Sequence, residues 1–318
     1  METSLITTET SIAPARNVVT EWENHLDLLT NTEELSADTA AVYKRAVARF
    51  RDWLQGRGPA VEGVQEQIVR EWVAWMKDQG WAVSTRQVML ASLRSFCGWL
   101  KGQGIIATDP TAGVKAGKQS RATRHKRDSL TDEQAGNLLK LASLSARDRA
   151  LIWLMLHTAA RGIELCRARI EDLREQDGDL VLYVQGKGRT ESDLEPLYIA
   201  SPDAQKAIRD YLAELAERGH RAGPLFATER NFGGKPRGIS RRTLRQIAKD
   251  ALRKADIDVG SITTHSLRHT AITKALENGA ELRDVQRMAR HADINTTLIY
   301  VHEGERRERA AERKIRYE

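Results

Sequence analysis

A segment without hydrophobic periodicity divides this chain and most limits how it can fold. Residues 102–128 read GQGIIATDPTAGVKAGKQSRATRHKRD, where Gly, Pro, Thr and basic residues give a linker composition. The chain has 318 residues, enough for two ordinary domains of about 100–150 residues each. We therefore predict five parts: a disordered N-terminus at 1–17, a first domain at 18–104, a basic linker at 105–128, a second domain at 129–302 and a C-terminal tail at 303–318.

The first domain is predicted to be entirely helical, because large apolar residues recur there at helical spacing. Val18, Trp22, Leu26 and Leu29 share one face of the first stretch. Their spacing, and that of the Trp and Phe residues after them, is typical of a helical core. Three further amphipathic stretches follow, at about residues 36–55, 64–79 and 84–101.

The second domain is predicted to be mostly helical with one small sheet. Thr131 and Gln134 form a capping box that opens a helix. DLVLYV at 179–184 and LEPLYI at 194–199, separated by the Gly-rich QGKGRTES, predict a β-hairpin. Helices are expected on both sides of it, at about residues 146–158, 202–218, 240–254, 266–278, 282–290 and 297–302.

Several classes of protein and site are excluded by what the sequence lacks. No apolar run approaches the roughly 20 residues of a membrane span, and the first residues do not read as a secretory signal. Two cysteines, Cys97 and Cys166, exclude a disulfide framework and a four-cysteine zinc site, and they fit a reducing cytoplasm. We find no metal-ligand spacing, no P-loop and no dinucleotide fingerprint.

The charge favours an anionic partner, although a charged run alone is usually a solvated face. The net charge is +6. Residues 101–127 contain one acidic residue, Asp109, and a cluster of basic residues. The basic residues are Lys101, Lys115, Lys118, Arg121, Arg124, Lys126 and Arg127.

Six polar residues stand where simple core-and-surface logic does not place them. Taken singly, each has an ordinary structural explanation: Arg161 as an ion-pair partner of Glu164, Lys187 as a hairpin-turn residue, Tyr300 as a core residue. Their order along the chain is more informative than any one of them. The six are Arg161, Lys187, His265, Arg268, His291 and Tyr300.

In that order they resemble the signature of the tyrosine recombinase (phage integrase) family. The resemblance is carried by TAARGIEL, GKGRTE, HSLRHT and RHADINTTLIYVH. The stretch VSTRQVMLASLRSFCGWLKGQGIIATDPTAGVK is similar to the last part of that family's core DNA-binding domain, so nearly the whole chain from about residue 18 is covered. The resemblance implies a mainly α fold, with a helical, SAM-like core-binding domain and a mostly α catalytic domain with a small antiparallel sheet.

The chemistry of DNA cleavage agrees with this set. A tyrosine phenol can attack a phosphodiester, and fixed cations stabilise the negative charge that gathers in the transition state. The resemblance makes Tyr300 the nucleophile, Glu164 a supporting residue, and Lys187 the donor of a proton to the leaving 5′-oxygen. No cofactor, metal or ATP is expected, because the covalent link keeps the energy of the broken bond. The phosphate-activating set is Arg161, Lys187, His265, Arg268 and His291.

The resemblance also implies partners and a location. A recombinase of the Xer and Cre type is expected to clamp double-stranded DNA with inverted half-sites and to act as a homotetramer on synapsed DNA in the cytoplasm, associated with the nucleoid. Accessory proteins stay unknown, and no membrane is expected. The candidate DNA-binding residues are Arg86 and Arg94 on one helix and Lys115, Lys118, Arg121, Arg124, Lys126 and Arg127 in the linker.

Two departures from the family pattern and two rival functions stay open. Ala159-Ala160 stand where the family often has Gly-Leu, and Arg290 stands where it usually has Gly. Arg290 is expected to add a phosphate contact or to alter the helix end. His157, His269 and His302 receive no role.

The rival functions are a type IB topoisomerase that nicks and reseals DNA, and a catalytically silent DNA-binding protein.

Overall fold

The computed structural model describes residues 17–57, 60–118, 129–186, 193–228, 236–260 and 262–300. The chain divides into two compact units, residues 1–124 and 125–318. In the described part, no helix is long and apolar enough to cross a membrane.

The described part of the N-terminal unit is helical, as the periodicity predicted. Asn17 and Ser36 cap the first two helices by accepting hydrogen bonds from the backbone N–H groups of Thr20 and Thr39. A single turn of 3₁₀ helix, Val61–Gly63, precedes the third helix. The helices are α1 (Val18–Asn31), α2 (Ala37–Leu54), α3 (Glu66–Asp78) and α4 (Val83–Gly102).

Aromatic side chains form the centre of this unit. Trp22, Phe50, Trp72 and Phe96 have no measurable exposed surface. Trp22 meets Phe96 edge-on with ring centroids 5.0 Å apart, and Phe50 meets Trp72 in the same way at 4.8 Å. Edge-to-face pairs at this separation add to the free energy gained by burial. The Trp and Phe pattern of the sequence is therefore a core pattern.

After α4, the chain packs against the N-terminal unit up to residue 118, where this described segment ends. Val114 and Ala116 are buried in the same hydrophobic cluster as the four helices. Arg94 Nη2 donates a hydrogen bond to the carbonyl of Val114 at 2.5 Å, and Gln87 Nε2 donates to that of Gly117 at 3.2 Å. Side chains of α4 thus hold the beginning of the segment predicted as a basic linker.

The C-terminal unit is mostly helical with one small sheet, as predicted. The capping box of Thr131 and Gln134 is present in both directions. The helices are α5 (Asp132–Leu139), α6 (Ala146–Thr158), α7 (Gly162–Arg167), α8 (Pro202–Glu217), α9 (Arg241–Lys254), α10 (Thr264–Glu277), α11 (Leu282–Ala289) and α12, which is helical through residues 295–300.

The sheet contains the predicted hairpin and one strand that the pattern missed. Strands β1 (Leu173–Gln176), β2 (Asp179–Gln185) and β3 (Leu194–Ile199) pair antiparallel in that order. β1 is an edge strand of four residues, three of them exposed, so it has no apolar period. The turn between β1 and β2 is Asp177-Gly178, both with positive φ. This dipeptide is a strong hairpin signal that could have revealed β1.

Helix α6 lies at the centre of the C-terminal core and leads to the candidate site. Leu151, Ile152, Leu154 and Met155 are all buried, so most of the circumference of the helix is covered, as is typical of a central helix. It contacts α8, α10 and β3. These contacts fix the position of its C-terminal end. The residues that follow the helix are therefore held in place as well.

Candidate active site

Two reversals of the backbone shape the site. Ala159 ends α6 with φ 50° and ψ 31°, and Arg290 ends α11 with φ 52° and ψ 49°. Both are left-handed conformations, which cost a residue with a side chain about 1–2 kcal/mol and which usually hold glycine at a helix end. Such strain occurs preferentially at functional sites. Here the carbonyls at the two reversals accept hydrogen bonds from arginines of the site.

Arg161 is the N-cap residue of α7 and faces the reversal at Arg290. Its Nη2 donates to the carbonyl of Arg290 at 2.5 Å, and its Nη1 donates to Glu164 Oε1 at 2.8 Å. The side chain is 23% exposed. The ion pair with Glu164 that the sequence suggested is therefore present, and the guanidinium still reaches solvent, where a phosphate could approach it.

Glu164 is a fully buried carboxylate shared by two arginines. Oε1 accepts from Arg161 Nη1 and, at 3.3 Å, from Arg290 Nε. Oε2 accepts from the backbone N–H of Arg161 at 2.7 Å and from Arg290 Nη2 at 2.8 Å. Burial alone would raise the pKa of this carboxyl, but Arg290 and Arg161 together hold the pKa below its usual value. Glu164 is thus ionised and offsets part of the positive charge of the site.

Arg268 lies on α10 and is buried. Nη1 donates to the carbonyl of Ala159, and Nη2 donates to that of Ala289. Burial and repulsion from Arg161 lower the pKa of Arg268 to about 10. Arg268 therefore stays protonated at neutral pH. His265 lies three residues earlier, in the first turn of the same helix, and is exposed.

His291 directly follows the reversal at Arg290. Its Nδ1 lies 2.9 Å from Thr297 Oγ1. Burial, followed by repulsion from Arg268, Arg161 and Arg290, lowers its pKa to about 4. His291 is therefore neutral near pH 7, so before a phosphate binds it can exchange hydrogen bonds but carries no positive charge.

Acid should destabilise the fold through His291. An imidazole binds a proton near pH 6.5 in the unfolded chain but only near pH 4 in this fold. The unfolded state therefore binds more protons between these values, and the free energy of unfolding should fall as the pH falls from about 6.5 towards 4.

Urea unfolding of wild type and His291→Asn at a series of pH values measures this effect. The difference in unfolding free energy between pH 7 and pH 4.5 should be smaller for the variant. An equal pH dependence in both proteins would contradict a depressed pKa at His291.

Tyr300 lies on α12, near Arg268 and His291. It packs against the small hydrophobic cluster that includes Ala159, Ile272 and Ala289. Its ring centroid lies 6.4 Å from that of His291 and 4.6 Å from that of His269. The Tyr300 ring therefore lies near two imidazoles.

His269, which sequence reasoning left without a role, contacts Tyr300. Its Nδ1 lies 3.4 Å from Thr273 Oγ1, one turn further along α10, and its ring meets Tyr300. The sequence shows only that His269 follows Arg268. Its contact with Tyr300 depends on how α12 returns to α10, which no local pattern indicates.

The site opens into a cavity of about 1000 Å³ within the C-terminal unit. Arg161 and His291 line one part of its wall, and Tyr198 of β3 lines another.

The remaining predicted catalytic residue, Lys187, lies outside the described residues, as do the tail at 303–318 and His302. Among the described residues, no group of three or more His, Cys, Asp or Glu side chains is placed to hold a metal ion.

The candidate DNA-binding residues of the N-terminal unit lie around the end of its last described segment. Arg94, Lys115 and Lys118 line a cavity of about 360 Å³. Arg86 lies beside Gly117, and its buried Nε has no hydrogen-bond partner among the described residues. Arg121, Arg124, Lys126 and Arg127 lie outside the described residues.

Known proteins share both units. Residues 128–307 match the phage integrase family, and residues 21–104 match the N-terminal SAM-like domain of phage integrases. The chain is 30% identical to the tyrosine recombinase XerD of Rhizobium meliloti (strain 1021) over 88% of this chain and 89% of that protein. It is 28% identical to the tyrosine recombinase XerC of Corynebacterium glutamicum, over 93% of this chain and 91% of that protein.

Solved structures share the fold at low sequence identity. XerH site-specific recombinase, in a post-cleavage complex with a palindromic difH substrate, matches with a TM-score of 0.71 and 18% identity over 92% of this chain and 84% of that one. A lambda integrase dimer bound to a COC′ core site matches with a TM-score of 0.69 and 16% identity over 92% of this chain and 77% of that one. The predicted resemblance is confirmed: the chain belongs to the phage integrase family of tyrosine site-specific recombinases.

Proposed function

We propose that Tyr300 is the nucleophile with which this recombinase cleaves and rejoins DNA. The observation that carries the proposal is the convergence of Arg161, Arg268 and His291 beside the Tyr300 ring. Two fixed guanidinium groups next to a phenol can hold a phosphodiester and stabilise its transition state. Polar groups that are already oriented for this purpose need no rearrangement during the reaction.

The reaction follows from these groups. The Tyr300 phenol gives up its proton to an imidazole of the site as its oxygen attacks phosphorus. The bond to the 5′-oxygen breaks, and the phosphate stays on the enzyme as a 3′-phosphotyrosyl ester. We assign the proton of the leaving 5′-oxygen to Lys187, on the resemblance. In the second step a 5′-hydroxyl of the partner strand attacks the ester, its proton passes to Lys187, and Tyr300 regains its own proton and leaves as the phenol. This exchange of strands forms a Holliday junction. The number of phosphodiester bonds is conserved, so neither ATP nor a metal is required.

Arg161 and Arg268 differ in exposure, so they can stabilise the phosphate in different ways. Arg161 is part-exposed and can meet a nonbridging oxygen directly, whereas Arg268 is buried and brings a strong local charge in a site of low dielectric. His291, neutral before DNA binds, can donate one further hydrogen bond, and we assign His265 to the same set. Glu164 supports them by holding Arg161.

We further propose how the chain meets its substrate. The domains at 18–104 and 129–302 clamp a duplex with inverted half-sites, and the basic segment at 105–128 crosses it. Relatives seen on DNA, XerH on a palindromic substrate and a lambda integrase dimer on its core site, support this reading. A homotetramer on synapsed DNA, associated with the nucleoid in the cytoplasm, completes the proposal. The residues assigned to DNA binding are Arg86, Arg94, Lys115, Lys118, Arg121, Arg124, Lys126 and Arg127.

A product assay separates recombination from the nicking and resealing of a topoisomerase. Purified protein and labelled fragments carrying a target site, in buffer with EDTA and no ATP, should yield Holliday junctions and recombinant strands. Relaxation of supercoiled DNA without any junction would favour the topoisomerase alternative. Binding without cleavage on a verified target would favour a silent DNA-binding protein. Loss of all products in EDTA would contradict the metal-independent step.

A further inference from the structure

Arg290 takes a backbone conformation that favours glycine, yet its side chain is engaged in the interior. The residue is left-handed at the end of α11, a position where glycine avoids steric conflict. Its side chain is only 3% exposed. An arginine that is both strained in its backbone and buried in its side chain needs a compensating interaction.

The compensation is a forked contact with Glu164, 126 residues away in the sequence. Arg290 Nη2 and Nε bind the two carboxylate oxygens at 2.8 and 3.3 Å. Nη1 donates to the carbonyl of Met288 at 2.8 Å, and Nη2 also donates to that of Ala159 at 3.4 Å. The three guanidinium nitrogens therefore all donate hydrogen bonds to groups of the protein. Few N–H groups of Arg290 remain to bind a phosphate.

Both the side chain and the backbone carbonyl of Arg290 help to position Arg161. Through Glu164, the Arg290 side chain orients the carboxylate that binds the backbone N–H and Nη1 of Arg161. Through its own carbonyl, Arg290 accepts the other branch of the Arg161 guanidinium at 2.5 Å. Arg161 is thus held on both sides by one residue and its ion-pair partner.

We propose that Arg290 is a positioning residue: it acts through Glu164 to fix the Arg161 guanidinium where the scissile phosphate binds, and it does not contact the phosphate itself. The inference rests on the proposed function, because it assigns Arg161 to the phosphate. It replaces the expectation that Arg290 adds a phosphate contact. An effect on the helix end accompanies it, since the left-handed cap turns the carbonyl of Arg290 towards Arg161.

The first test measures single-turnover cleavage at saturating protein together with DNA affinity. Arg290→Met keeps the bulk of the side chain but removes the fork. It should slow cleavage by about 10–100-fold, as displaced supporting residues do, and leave the Kd for DNA within about threefold. Arg253→Met, which loses a half-exposed arginine paired with Asp250, is the matched control and should cleave at the wild-type rate.

A double-mutant cycle with Glu164→Gln distinguishes positioning from direct contact. If Arg290 acts through Glu164, then Arg290→Met should change the cleavage rate of Glu164→Gln by no more than about twofold. An equal loss in both backgrounds would overturn the proposal, because it would mean that Arg290 acts on DNA independently of Glu164. A wild-type rate for Arg290→Met would overturn it as well.

A second variant keeps the proposal testable if methionine or glutamine disturbs folding. Arg290→Gly relieves the left-handed backbone and lacks only the side chain, so it should fold, bind DNA and still cleave slowly. Wild-type cleavage by Arg290→Gly would overturn the inference. Failure of wild type itself to form an adduct that depends on Tyr300 would instead refute the proposed function, so the two failures are distinguishable.

Discussion

Replacing Tyr300 with phenylalanine should abolish DNA cleavage and recombination, with a loss of at least about 10⁴-fold, because the only change is removal of the attacking oxygen. The ring would keep its packing against His269 and the Ala159 cluster. Folding and DNA binding should therefore stay close to wild type.

The matched control for this substitution is Tyr183→Phe. Tyr183 lies on β2, and its hydroxyl donates to Gln176 Oε1 at 3.4 Å. Removal of this hydroxyl should leave cleavage unchanged. The measurement is the yield of protein–DNA adduct after quenching with detergent, with DNA binding followed by gel shift. Adducts at wild-type yield from Tyr300→Phe would show that another group attacks the phosphate.

Replacing Arg268 with alanine should give the second-largest loss, about 10²–10³-fold in the single-turnover cleavage rate, the size expected when one oriented donor to a transition state is removed. Arg268 is buried, and it bridges the carbonyls of Ala159 and Ala289. Its loss removes the donor to the carbonyl of Ala289 and leaves the carbonyl of Ala159 with the longer hydrogen bond from Arg290 Nη2 at 3.4 Å. A buried acceptor left unsatisfied in this way costs about 1–3 kcal/mol in unfolding free energy.

Arg268→Lys separates charge from geometry. An ammonium group keeps the positive charge but cannot reach both carbonyls with a planar fork, so cleavage should recover only in part. Arg253→Ala, which removes a half-exposed arginine from the end of α9, is the control and should cost less than about 0.5 kcal/mol of stability. If Arg268→Ala folds and cleaves within a few fold of wild type, then Arg268 does not act on the phosphate.

Local pattern was sufficient for the longer helices, and it was insufficient for short elements and where the fold depends on partners distant in sequence. The four N-terminal helices follow from apolar spacing because each buries one stripe against a shared core. The hairpin of β2 and β3 follows from short apolar runs around glycines. β1 has four mostly exposed residues, and only its Asp177-Gly178 turn marks it. The six residues of α7 are too few for a helical period.

The candidate site could be predicted as a set of residues but not as an arrangement. The order of Arg161, His265, Arg268, His291 and Tyr300 is visible in the sequence. That Arg290 turns inward to Glu164, and that His269 supports the Tyr300 ring, depends on where α11 and α12 return to α7 and α10. Such contacts are set by tertiary packing, which residue spacing does not encode.

The central claim, that Tyr300 carries the DNA covalently, is tested most directly by mapping the link. The adduct would be trapped on target DNA, digested with nuclease and trypsin, and examined by mass spectrometry. Trypsin should release residues 291–306, HADINTTLIYVHEGER. The account predicts a nucleotide joined through its 3′-phosphate to Tyr300 in this peptide. A nucleotide on any other residue, or one joined through its 5′-phosphate, would contradict it.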